Sequence, residues 1–198
     1  MDILRCDALV DIPWKNGGGI TRNIAMATCG AHTAWRLSRA DVARDGAFSC
    51  FAGLERILTV VSDTGMVLDH PDGEFDADPW QPVRFAGEME VFARLKGGPL
   101  TDLNLMFDPS VCDGSVTTLY GPLDHTMIRP EAGATALHVL AGRPKLGTQS
   151  LYSGDTAFVD TSVPLSLGKG DAALEITICY LDRGKTVEFS IAGGSDPF

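Results

Sequence analysis

The chain has 198 residues, 16 basic against 26 acidic side chains, and a net charge of −10. Its length suits one ordinary domain or two small fused ones, and its 44% hydrophobic content suits a packed core rather than a disordered chain. The acidic balance disfavours nucleic acid or an anionic membrane as the main partner, so any anion site must be a local positive pocket in a negative field.

In chain order, the first informative run is Pro13-Trp14-Lys15-Asn16-Gly17-Gly18-Gly19-Ile20-Thr21. A glycine triplet carries no side chains and permits positive φ, so other groups can approach its backbone closely. Consecutive N–H groups in such a turn can form an anion-binding nest, with Lys15 as a point charge beside it. The plain alternative is a glycine-rich turn with an exposed lysine. Next, Trp35 and Leu37 share one face of a strand while Arg36 and Ser38 share the other. Asp45-Gly46 marks a tight turn. Any one of Arg36, Arg44 and Arg56 can clamp a carboxylate through a two-pronged contact, or pair with the nearby acids Asp41, Asp45 and Glu55.

Residues 57–69 read as strand, turn and strand around Ser62-Asp63-Thr64-Gly65, and Met89, Val91, Ala93 and Leu95 form a period-two set. Leu103, Leu105 and Phe107 then alternate with Asp102, Asn104 and Met106. With the leucines facing a core, the carboxylate of Asp102 and the amide of Asn104 line a pocket or meet solvent. Residues 135–160 repeat the earlier strand–turn–strand rhythm, followed by alternating sets at Leu174, Ile176, Ile178 and Tyr180 and at Val187, Phe189 and Ile191. With 22 glycines and 11 prolines there is little room for long helices. The pattern predicts an all-β fold, a sandwich or barrel, with two jelly-roll halves joined near residues 108–115.

Other chemistries find little support. His32, His70, His125 and His138 are isolated, without H-x-H spacing, so no metal site is expected. There is no G-x-S-x-G elbow, and the glycine triplet lacks the Gly-Lys-Ser/Thr ending of a phosphate loop, so neither covalent catalysis nor a nucleotide cofactor is indicated. Five scattered cysteines without CxxC spacing suit a reducing compartment. Residues 1–7 lack an apolar segment before a small-residue cleavage site, and no apolar run approaches bilayer-spanning length, so the cytoplasm is the expected location.

Three blocks, PWKNGGGITRNI at 13–24, WRLSRADVARDGAFSCFAGLER at 35–56 and LTDLNLMF at 100–107, resemble the HutD family in order and spacing. The resemblance covers roughly the first 110 residues and implies a bicupin, two small jelly-roll barrels in one chain, often paired as a homodimer. The N-terminal barrel would span 1–110 and the C-terminal barrel 111–198. It further implies an association with histidine utilisation and binding of a small pathway acid such as N-formylglutamate or urocanate, without established catalysis and without a cofactor. Trp14, Lys15, Asn16, Gly17, Gly18, Gly19, Thr21, Arg36, Asp102 and Asn104 become the ligand-binding candidates, with Trp14 or Trp35 as a wall. A metal-independent cupin enzyme on a histidine-pathway intermediate is the catalytic alternative, with Asp102 as general base; a regulatory protein-interaction module is the third. The chain departs from the family pattern at Phe107-Asp108, where a basic pair is usual, and at Ala47 and Ala52, where prolines are usual.

On this reading Lys15→Ala weakens carboxylate binding roughly tenfold or more, since a charge-assisted contact contributes about 1.5–3 kcal/mol. Calorimetric titration checks this, and unchanged affinity removes Lys15 from the site.

Overall fold

The computed structural model describes residues 1–14, 17–182 and 184–192. The first part of the chain forms β1 (Asp2–Leu4), β2 (Ile12–Pro13), β3 (Gly19–Cys29), β4 (His32–Val42), β5 (Gly46–Ala47) and β6 (Glu55–Val60). It continues with β7 (Met66–His70), β8 (Gly73–Ala77), β9 (Pro82–Ala86), β10 (Phe92–Leu95) and β11 (Leu100–Phe107). The second part forms β12 (Cys112–Tyr120), β13 (Leu123–Met127), β14 (Gly133–Ala141), β15 (Lys145–Leu146) and β16 (Gln149–Ser150). It ends with β17 (Thr156–Val159), β18 (Val163–Leu167), β19 (Ala172–Tyr180) and β20 (Glu188–Ile191). The regular structure of the described residues is otherwise limited to a 3-10 turn at Cys6–Ala8.

The strands form four sheets stacked in layers. A seven-stranded sheet runs β2-β3-β4-β11-β6-β9, with β20 also pairing β3, and a four-stranded sheet runs β5-β10-β7-β8. A five-stranded sheet runs β1-β17-β14-β19-β12, and a second four-stranded sheet runs β13-β18-β15-β16. Side-chain alternation gives each inner sheet two buried faces. Ile24, Trp35, Leu37, Leu103, Leu105 and Phe107 of the seven-stranded sheet pack against Ala136, Phe158, Leu174, Ile176 and Ile178 of the five-stranded one. The opposite faces pack on the four-stranded sheets, through Leu58, Val60, Met66, Leu68 and Ala93 on one side and Leu137, Val139, Leu165, Leu167 and Ala173 on the other.

The expectation of two closed jelly-roll barrels is corrected: all four sheets are open, and the halves are sandwiches. The edges of the seven-stranded sheet explain why it does not close. β2 is two residues long and ends in Pro13, while β9 begins with Pro82, and proline cannot donate to a further ladder. The turn from β11 to β12 falls at Asp108 to Val111, held by Val111 N–H donating to the Asp108 carbonyl. Here Gly114 lets β12 lie over β11, because a Cβ would stand 2.8 Å from the Phe107 ring.

Both ends of the described chain cross to the other half. Asp2–Leu4 pairs with β17 of the five-stranded sheet, and Glu188–Ile191 pairs with residues 25–28 of β3. Beneath the N-terminal arm, His138 is buried on β14 with Nδ1 2.9 Å from the Thr156 hydroxyl. Burial lowers the His138 pKa to about 3, with Arg39 adding to the effect and Asp155 opposing it.

The folded protein therefore keeps His138 neutral where the unfolded chain takes a proton. Its stabilising effect is whole above about pH 6.5 and is lost as the pH falls toward about 3. Asp102, raised by burial to about 6, acts in the opposite sense as the pH falls from 6 to 4. His138→Gln should therefore reduce the acid-side decline in stability by up to about 1.4 kcal/mol per pH unit relative to the parent. Urea unfolding at several pH values from 4 to 7 measures it, and parallel curves for the two proteins would refute it.

Candidate functional site

β11 pairs with β4 on one side and β6 on the other, so its cavity-side residues fall into cross-strand rows. Arg36, Met106 and Arg56 occupy one row, Ser38, Asn104 and Leu58 the next, and Ala40, Asp102 and Val60 the third. All point into the first sandwich, opposite to Leu103, Leu105 and Phe107. With strands about 4.8 Å apart, the two arginines emerge on either side of Met106.

This face opens on a cavity of about 580 Å³. Trp14, Thr21, Arg36, Ser38, Arg56 and Asn104 contribute its polar wall, and Phe48, Phe51 and Met106 much of its apolar wall. Trp14 is fixed by its indole N–H donating to the Thr21 hydroxyl at 2.7 Å and by an edge-on contact with Phe48. Arg56 is only 6% exposed, and its guanidinium carbon lies 4.8 Å from the Phe48 ring centroid and 5.4 Å from that of Phe85. Its Nε donates to Asn104 Oδ1 at 2.8 Å, and the Asn104 amide donates in turn to Asp102 Oδ1. Arg36 lies over the Phe51 ring at 5.2 Å. Among the described residues neither Arg36 nor Arg56 forms an ion pair.

The electrostatics follow from burial. Desolvation lowers Arg56 to about 10 against the pull of Asp102, and it lowers Arg36 as well; Arg56 remains charged at neutral pH. Asp102 is 1% exposed and is pushed up to about 6 by burial, with Arg56 and Asn104 opposing the shift. Its Oδ2 is buried without a hydrogen-bond donor. Two guanidiniums thus line the cleft while the carboxylate that offsets them lies deeper.

Of the residues singled out in the sequence, Trp14, Thr21, Arg36 and Asn104 meet on this cavity, and Asp102 lies one row behind Asn104. Lys15 and Asn16 lie outside the described residues. The glycines hold the approach to the site rather than its wall. Gly17 N–H donates to the Trp14 carbonyl, the Gly18 carbonyl accepts from Ala43, and Trp14 N–H donates to the Gly19 carbonyl. A Cβ at Gly19 would stand 3.1 Å from the Trp14 ring and closer still to the Asp41 carbonyl, so this glycine admits the indole. Trp35 is buried between the inner sheets, with its N–H toward the Tyr180 hydroxyl, and walls nothing here. Arg44 is exposed. Arg56, one of three arginines left open by the sequence, is the buried one. Its signal was its place on the same strand face as Leu58 and Val60, where a solvated arginine does not belong. Ser38 lines the cavity beside Arg36, on the strand face where alternation puts both, while Phe48 and Phe51 carried no comparable signal. No three His, Cys, Asp or Glu side chains converge as a metal-binding group among the described residues.

Asn104→Leu should cost about 1.5–3 kcal/mol at pH 7.5 through loss of the amide that holds the Asp102 charge. The cost should be smaller at pH 5, where Asp102 is protonated. Urea unfolding at both values measures it, and an equal cost would count against Asn104 stabilising a charged Asp102.

Comparison with known proteins adds relatives to this geometry. Residues 7–174 match the family model described as HutD. The chain is 29% identical to HutD from Pseudomonas fluorescens SBW25, whose structure was determined in a formate condition, with a TM-score of 0.80 over 91% of this chain and 99% of that one. It is 28% identical, with a TM-score of 0.78, to a conserved protein of unknown function from Pseudomonas aeruginosa PAO1, over 91% of this chain and 99% of that one. Over 113 residues it is 39% identical to an uncharacterised 21.2 kDa protein in the hutC 3′ region of Pseudomonas putida. That match covers 55% of this chain and 59% of the relative, less than two thirds of the relative's length.

Proposed function

The chain belongs to the HutD family, and from that premise we propose that the cavity between β4, β11 and β6 binds a small carboxylate and that the protein modulates histidine utilisation in the cytoplasm. The observation that carries the reading is the pair of guanidiniums, Arg36 and Arg56, that line one cavity without an ion-pair partner among the described residues. A buried or half-buried arginine normally has a carboxylate beside it. Here the cleft leaves room for one to arrive, and a planar carboxylate matches the guanidinium fork.

The rest of the wall suits such a guest. Ser38 offers a hydroxyl and Asn104 an amide for orientation, while Trp14, Phe48 and Phe51 cover an apolar or planar body. N-formylglutamate and urocanate both join a carboxylate to further polar atoms of that size, and they are the ligands we favour. Formate is the minimal probe for the carboxylate subsite. The location of the Pseudomonas putida relative in a hutC 3′ region supports the link to this pathway. Asp102, on which the catalytic alternative depends, reaches the cavity through Asn104, which favours binding over turnover.

Arg36→Met should weaken carboxylate binding about tenfold or more, since a charge-assisted contact is worth about 1.5–3 kcal/mol. Isothermal titration with N-formylglutamate, urocanate and formate measures this. Undiminished affinity removes Arg36 from the site, and absence of saturable heat from all three compounds refutes the reading.

A further inference from the structure

Asp102 has an unusual position for a carboxylate. It is 1% exposed, one oxygen takes the Asn104 amide, and the other has no donor. Its own strand supplies Asn104. β6 brings Val60 alongside it and Arg56 two rows away, and β4 brings Ala40. Asp41, on the reverse face of β4, is engaged by Arg22 and the Thr101 hydroxyl and acts on Asp102 only as a background negative charge. β3 contributes Thr21, in register with Ala40. The facing sheet supplies Met66, Leu68 and Ala93 to the core, all apolar. Arg56 is therefore the cation that Asp102 answers to, with Asn104 as the bridge, while the charge of Arg36 opposes that of Arg56.

We propose that Asp102 is the resident counter-ion of Arg56 and that an arriving carboxylate replaces it in that role, whereupon Asp102 takes a proton from solvent. The proposal rests on the anion-binding reading above and names how that site is regulated. The balance is simple: protein, carboxylate and one proton combine, the carboxylate at the guanidiniums and the proton on Asp102. No covalent bond forms other than the new O–H. The unpartnered Oδ2 is the atom free to carry it. A second negative charge at Arg56 makes an ionised Asp102 more costly, because two carboxylates near one cation in a poorly solvated site do not both stay charged. Burial has already raised Asp102 to about 6, so a modest further push takes it across neutral pH. Among the described residues no histidine lines the cavity, so Asp102, one row behind its wall, is the nearby group placed to titrate in this range.

Affinity for the carboxylate then falls as the pH rises, by up to tenfold per pH unit between the Asp102 pKa of the free protein and that of the complex, and levels off above the latter. The test is calorimetric titration of the full chain with formate, N-formylglutamate and urocanate from pH 5.5 to 8, in two buffers of different ionisation enthalpy. The parent should take up most of a proton per ligand near pH 7. Asp102→Asn keeps the shape, removes the titration and should give, with formate and N-formylglutamate, whose own protons are gone by pH 5.5, buffer-independent heats with an affinity constant across the range. Saturable binding without proton uptake by the parent, or equal uptake by Asp102→Asn, overturns the proposal and leaves the anion site standing. The parent's proton count decides the matter alone if the variant fails to fold. Silence from all three compounds at every pH overturns the site and the proposal together.

Discussion

Everything in this molecule depends on β11 being buried on both faces. Leu103, Leu105 and Phe107 join the apolar layer between the inner sheets, where Ile176, Ile178 and Leu174 meet them. That layer joins the two halves of the chain chiefly through apolar burial, alongside the crossed strands β1 and β20, and it uses every second side chain of the strand. The intervening positions are left facing the first sandwich. They can be polar because the strand is already anchored from behind. A site with Asp102 and Asn104 on the face of a central strand is a consequence of that division of labour.

The same arrangement explains how buried charge is tolerated. Arg56 would be a poor occupant of an apolar strand face on its own. Asn104 accepts from its Nε, and the rings of Phe48 and Phe85 lie against its guanidinium. The amide then passes the polarity on to Asp102. A neutral side chain between the two ions keeps them from forming a direct pair, so the guanidinium stays available to the cavity. Gly19, the first residue of β3, serves the same end by letting Trp14 lie close to the backbone at the cavity mouth.

Local signals in the sequence reach some of this and stop at identifiable places. Alternation at 100–107 correctly separates Leu103 and Leu105 from Asp102 and Asn104, and alternation at 35–38 separates Trp35 from Arg36, because one residue's face on a strand is a local property. Which face meets which neighbour is not local. Trp35 therefore looked as good a pocket wall as Trp14, although it is sealed between the inner sheets. Barrel closure is a still longer-range matter: it depends on whether β2 and β9 find further partners, and the prolines at 13 and 82 decide against it. β12 and β13 escaped notice because Gly114, Ser115, Thr117 and Thr118 on a half-exposed strand blur the period-two pattern. Arg56 was visible as a residue, but its burial follows from the pairing of β6 with β11 and β9, which no stretch of six residues reveals.

The crossed terminal strands bear on how the two halves depend on each other. Asp2–Leu4 pairs with residues 156–158, while β3 receives Glu188–Ile191. Neither inner sheet is completed by its own half of the chain. Each half supplies a strand to the other, so neither sandwich can be lifted out with its inner sheet intact, and the sheet that carries the cavity takes one of its strands from beyond the second sandwich.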